Sequence, residues 1–318
     1  MTRTAVASRE HTIRAADGWR LSVLDLEPAG PAAGLVIAGH AMMVDRRTLY
    51  RRDRPSLAGA LVDAGLRVLV PDLRGHGRSG PRADEGADWS YDQLVEDIAA
   101  YLDLARTLAP DLPLATLGHS LFGHAVLAFL TLPRASDRPA LSAHVALCSD
   151  VWLASTEDRP LVQALKTAIV RLSTGLADIL GFLPARRAGV GSADEACTYF
   201  RDVCRGTYTG TWTAGDGHDF RAGLPAVDVP TLLVLSQRDR LADPRTALRL
   251  WSDLPRLTVW RLGHPPTADA ATRPDSDFTA LEPALAGLAP THMGAVTDPR
   301  SAPLWRAIAA WLLGHLRP

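Results

Sequence analysis

Cysteine is scarce in this chain: Cys148, Cys197 and Cys204 are the only ones in 318 residues, without a Cys-x-x-Cys pair. An odd, scattered set excludes a disulfide framework, argues against a thiolate metal site and fits a reducing, cytoplasmic compartment. Charge of one sign is also missing. The formal net charge of -1 gives no field to gather nucleic acid or an anionic membrane, so neither partner is expected. Lysine is reduced to Lys166, the basic charge being carried by arginine without a cluster. No run of about 18 apolar residues exists, and the residues after Met1 lack the apolar centre of a signal peptide, which predicts a chain without a membrane span. No ligand cluster of His, Cys, Asp and Glu stands out either, and the expectation is an absence of metal and cofactor.

What is present is ordinary globular composition, 47% hydrophobic and 22% charged. Asp17-Gly18 between the alternating runs from His11 and from Arg20 predicts an opening antiparallel hairpin. Continuous apolar runs at Gly34–Ala38, Leu66–Val70, Leu114–Leu117, Ala143–Cys148, Pro230–Leu235 and Leu257–Leu262 read as strands, most of them buried on both faces of a parallel sheet. Between them lie helical patterns: Tyr50 to Ala64, ending at Gly65, and a helix opened by the capping box Ser90/Gln93. The strand–helix rhythm breaks between residues 151 and 228. There Leu161, Leu165, Ile169, Leu172, Leu176, Ile179 and Leu180 recur at helical spacing up to Gly181, either to dock this helix on the rest of the molecule or to line a pocket.

Two glycine-bearing motifs need separating. Gly75-His-Gly77-Arg-Ser-Gly80 spells the Gly-x-Gly-x-x-Gly of dinucleotide sites, but four residues separate it from the preceding strand, Pro81 follows, and residues 82 to 88 are too polar for the required helix. Cofactor binding is therefore not expected from it. The second is Gly118-His119-Ser120-Leu121-Phe122-Gly123, between an apolar strand and an apolar helical pattern. At such a sharp turn a serine hydroxyl projects above the sheet, and the N–H of Leu121 points at a bound carbonyl.

This fragment resembles the nucleophile turn of the α/β-hydrolase family, and the resemblance extends from about Thr12 to Leu316. Phe122 stands where the family's second glycine is usual, with Gly123 one place late. The stretch Asp72-Leu-Arg-Gly-His-Gly-Arg-Ser79 is similar to a structural loop of that family. The resemblance implies a mostly parallel central sheet flanked by helices, formed by residues 1–150 and 229–318, with 151–228 inserted after the sixth strand as a helical cap. It also implies a second oxyanion-hole N–H at Gly39-His40-Ala41-Met42, from Met42, where Ala41 replaces a common glycine. Asp239, just beyond a strand, matches the family's triad acid, and Asp243 is then a helix cap. Two histidines compete for the base: His264, directly after a strand but followed by Pro265 and Pro266, and His292, about ten residues before the terminal helix. The favoured order Ser120, Asp239, His292 is the family's chain order. The implied activity is hydrolysis of an ester or thioester of a small to medium apolar acyl compound. Acyl transfer by the same residues and a catalytically silent binding protein on the same fold are the alternatives.

Overall fold

The computed structural model describes residues 6–263, 285 and 287–316. The opening hairpin pairs β1 (Ala7–Arg14) with β2 (Arg20–Glu27) in register Arg14 to Arg20. Its five-residue turn closes through Ala15 N–H to Trp19 O and Gly18 N–H to Ala15 O, with Gly18 at φ 84°. Then follow β3 (Leu35–Gly39), α1 (Leu57–Asp63), β4 (Arg67–Asp72), α2 (Tyr91–Leu108), β5 (Leu114–His119), α3 (Leu121–Leu130) and β6 (Ala143–Leu147). Helix α1 starts seven residues later than Tyr50, because Asp45 caps a short 3-10 turn at Arg46–Thr48 and Pro55 precedes the N-cap Ser56.

After β6 come α4 (Pro160–Leu180), the short strands β7 (Phe182–Leu183) and β8 (Glu195–Ala196), α5 (Cys197–Thr209) and α6 (Phe220–Gly223). The sheet resumes with β9 (Thr231–Ser236), α7 (Pro244–Trp251) and β10 (Leu257–Leu262), and the chain ends in α8 (Gly294–Thr297) and α9 (Ala302–His315). The large sheet has the order β1-β2-β4-β3-β5-β6-β9-β10. Strand β2 runs antiparallel to both neighbours, and every pairing from β4 to β10 is parallel. This is a mostly parallel sheet flanked by helices.

Alternate residues of the central strands feed two cores. Val36, Leu117, Val145 and Val234 point to the side packed by α1 and α9, whose Trp305, Ile308 and Leu312 are buried there. Leu35, Ile37 and Leu233 point to the side packed by α2 and α3. The same second core takes in Val170, Ala177, Tyr199, Phe200, Cys204 and Trp212 from the segment between β6 and β9, so that segment shares apolar packing with the sheet.

Helix α4 corrects one expectation. Its leucine stripe neither docks on the sheet nor lines a pocket: Leu161, Leu172 and Ile179 are 85%, 76% and 82% exposed, and Lys166, Val170 and Ala177 are the residues it buries. Periodicity located the apolar face but carried no information about which way that face turns. Lys166 is held inward by Glu157, at 3.1 Å, and lies over the Trp152 ring at 5.2 Å, so a charged residue became part of the buried face.

Candidate active site

The nucleophile candidate sits where β5 turns into α3. Ser120 is the N-cap of α3 at φ 52°, ψ -110°, a backbone region that L-residues occupy only when their surroundings hold them there. Those surroundings come from β6: the Ser120 N–H donates to Leu147 O at 2.9 Å, and the Ser149 hydroxyl donates to Ser120 O at 2.8 Å. A Cβ on Gly118 would overlap the backbone at Gly123, and one on Gly123 would come 2.8 Å from the Ser149 side chain. The close approach is thus made by Gly118 and Gly123. Phe122 is free of that duty; its ring is buried against Gly39, at the end of β3, where any Cβ would overlap it.

Buried polar groups brace the same turn. His144 on β6 donates from Nε2 to Gly123 O at 3.1 Å and accepts the Thr116 hydroxyl at Nδ1, 2.8 Å away. Burial lowers its pKa to about 3, so it acts as a neutral connector.

Asp239 lies in the turn after β9. One carboxylate oxygen accepts the N–H of Leu241 at 2.9 Å and of Ala242 at 3.0 Å; the other faces His292 Nδ1 at 2.8 Å. Burial works to raise the Asp239 pKa, but the hydrogen bond and charge of His292 with the two backbone N–H groups leave it below the ordinary value. The carboxylate is therefore an ionised acceptor that directs a proton to Nδ1 of His292. Two strand ends position the histidine: the Ser236 hydroxyl donates to Pro290 O at 2.6 Å, and His119 Nε2 donates to His292 O at 3.1 Å. The rings of His119 and His292 are 4.8 Å apart between centroids. Burial, then the neighbouring His292, hold His119 at a pKa of about 3, and its Nδ1 has no hydrogen-bond partner among the described residues.

Of the residues singled out from sequence, Asp239 and His292 are brought together directly. Ser120 adjoins that pair through His119, its immediate chain neighbour, and its hydroxyl makes no hydrogen bond among the described residues. His264 lies outside the described residues. Asp243 caps α7, accepting the Arg245 N–H at 2.9 Å. The N–H of Leu121, first in α3, and that of Met42 make no hydrogen bond among the described residues, while the next N–H, of Met43, is taken by Glu195. Met43 has φ 60°.

The Gly75-x-Gly77-x-x-Gly80 loop is pinned by protein groups around it. The Asp72 carboxylate accepts the N–H of Arg46 at 3.0 Å and of Arg78 at 2.9 Å, with Gly77 packed directly against it. Arg74 is buried in a fork to Asp97, with bonds of 2.9 and 2.6 Å. Its donors are used internally, as a structural loop requires.

Sequence reasoning gave no role to His119, His144, Ser149 or Glu195. His119 adjoins Ser120 in the chain, and that adjacency was the one signal available for it; His144, Ser149 and Glu195 lie 24, 29 and 75 residues from Ser120 and carried none.

Comparison with known proteins shows the family of the chain. The family model described as Serine aminopeptidase, S33, matches residues 50–259, a span that includes Ser120 and Asp239 and stops before His292. Monoglyceride lipase of Homo sapiens is 27% identical over 243 residues, covering 74% of this chain and 75% of that protein. Monoacylglycerol lipase of Mycolicibacterium smegmatis is 32% identical over 120 residues, covering 38% and 40%. Among solved structures, Est1E of Butyrivibrio proteoclasticus with ferulic acid bound shares the fold with TM-score 0.61 at 16% identity, covering 96% of this chain and 98% of that one. A Thermogutta terrifontis esterase with malate bound gives 0.56 at 18% identity, covering 97% and 99%.

Proposed function

Because the chain belongs to the α/β-hydrolase family matched by the model described as Serine aminopeptidase, S33, and is a serine hydrolase of the ester-cleaving kind, we propose that it works through Ser120, His292 and Asp239 on esters or thioesters of small to medium apolar acyl groups. The observation that carries the reading is the buried Asp239–His292 hydrogen bond of 2.8 Å beside a serine held at φ 52°. In this reading Asp239 keeps the His292 proton on Nδ1, leaving Nε2 to take the Ser120 proton as Oγ attacks the acyl carbon. The carbonyl oxygen gains negative charge and is met by the N–H groups of Leu121 and Met42. His292 then returns the proton to the departing alcohol or thiol. A water repeats the cycle on the acyl-Ser120, releasing the acid. An acceptor alcohol in place of that water would give acyl transfer.

The names of the human and mycobacterial relatives make a glycerol monoester the first substrate to try. His292 is favoured as base over His264 because it is the histidine bonded to Asp239. The inserted segment 151–228 is read as a cap over the site, as its place after β6 suggests.

A fluorophosphonate probe tests the reading: it is expected to add its mass to the peptide holding Ser120. His292→Ala is expected to lower kcat/KM for an activated ester by at least about a thousandfold, and His264→Ala by less than about tenfold. Labelling elsewhere, or the reverse ranking of the histidines, would sink it.

A further inference from the structure

The inserted segment reaches the oxyanion turn itself. Met43, one residue past the proposed donor Met42, is a bulky residue at φ 60°, where a side chain is tolerated only if the surroundings impose it. Residues 191–195 supply those surroundings from both sides of its peptide units. Ser192 and Ala193 donate their N–H groups to Met43 O at 2.7 and 3.0 Å, and the Met43 N–H donates to Glu195 Oε1. Gly191 lies so close to Met43 O that a Cβ there would overlap it.

Glu195 is itself fixed. It has no exposed surface, and the same Oε1 faces His76 Nε2 at 3.1 Å. The other nitrogen of His76, Nδ1, faces the Arg74 carbonyl at 2.7 Å. Both ring nitrogens thus point at acceptors. Burial opposes charging of His76, but the Glu195 carboxylate with its hydrogen bond, and the Arg74 carbonyl, raise its pKa above the ordinary value. Glu195 Oε1 is thereby held between two buried donors, the Met43 N–H and His76 Nε2, and this pairing is the anchor. The anchor joins the structural loop after β4 to the start of α5 and meets the oxyanion turn between them.

We propose that Glu195 is a positioning residue for the hydrolysis reaction: with the backbone of residues 191–193 it clamps Met43, and so holds the Met42 N–H aimed at the developing oxyanion. The inserted segment then builds part of the catalytic machinery in addition to covering it. This rests on the reading of Ser120 as nucleophile and Met42 as donor.

The test compares Glu195→Ala, Glu195→Gln and Ser120→Ala, each checked by circular dichroism, with p-nitrophenyl butyrate as substrate and a butyl boronic acid as transition-state mimic. An oxyanion donor set out of line costs the transition state and leaves the ground state nearly untouched. Glu195→Ala is therefore expected to lower kcat by roughly tenfold to a hundredfold with KM changed less than about threefold, and to weaken boronate binding by a similar factor. Glu195→Gln keeps one carbonyl oxygen for the Met43 N–H and is expected to stay within about fivefold of wild-type kcat. If Glu195→Ala fails to fold, Gly191→Ala serves in its place, since it presses on Met43 O from the other side and is expected to give the same loss in kcat. The clamp is refuted if the folded variant read keeps kcat within about twofold, if its loss lies in KM, or if Glu195→Gln is as impaired as Glu195→Ala. Activity surviving in Ser120→Ala would instead remove the functional reading beneath it.

Discussion

Asp239→Asn changes one atom, and the structure dictates which. The Oδ1 of Asp239 accepts two backbone N–H groups, from Leu241 at 2.9 Å and Ala242 at 3.0 Å, and only an oxygen can do that. The asparagine carbonyl must keep this place, so its NH2 replaces Oδ2 and faces His292 Nδ1 across the 2.8 Å contact. Being a donor, it requires a bare Nδ1 and moves the imidazole proton to Nε2. In the proposed mechanism that is the wrong tautomer, because His292 Nε2 would have to accept the Ser120 proton. The expected fall in kcat is about 10⁴, or roughly 5.5 kcal/mol of barrier, as for the same change in other serine triads. Stability should move little, by less than about 2 kcal/mol, because each hydrogen-bonding position stays occupied. The variant should also flatten the acid limb of stability. The folded pKa of Asp239 is depressed, so its contribution is complete above the unfolded value of about 3.9 and is lost as pH falls through the folded one. The assay is steady-state hydrolysis of p-nitrophenyl butyrate beside urea unfolding at pH 7 and pH 3.5. A folded variant with kcat within tenfold of wild type would refute the tautomer argument.

Phe122→Gly restores the family's usual residue, yet it is expected to destabilise by about 3–5 kcal/mol, because it empties the space over Gly39 that the ring fills; urea unfolding at unchanged m-value checks this. Asp150 is pushed up to about 8, chiefly by burial, with Thr246 bonded to one oxygen and, among the described residues, no partner on the other. Its protonated form is the one folding favours, so stability is present below about pH 4 and declines towards pH 8, by up to about 1.4 kcal/mol per unit. Asp150→Asn should remove that slope, and parallel curves of Tm against pH for the two proteins would contradict the assignment. Leu172→Gln on the exposed face of α4 is expected to shift Tm by less than about 1 °C, whereas a drop of several degrees would mean that the stripe is packed in solution.

The alternation and apolar runs of the sequence were enough to place the opening hairpin, the central strands and the capped helix α2, since side-chain period and caps are local properties. Ser120 was legible for the same reason: a strand, a small residue, a serine and an apolar helix follow one another within a few positions. Asp239 and His292 could be ordered along the chain but not paired, because their contact spans 53 residues and depends on where the loop before α8 returns to the ends of β9 and β5. The fate of Phe122 was decided across strands, by a glycine at position 39 that leaves room for its ring. The outward turn of the α4 leucines was also a tertiary outcome: amphipathicity defines a face, and only the packing of Val170, Ala177 and the Lys166–Glu157 pair set its direction. The clamp on Met43 goes furthest beyond the sequence. Glu195 reads there as one more charged residue in a turn-rich stretch, and it becomes a buried partner of His76 and Met43 only because folding carries residues 191–195 back against the turns that follow β3 and β4.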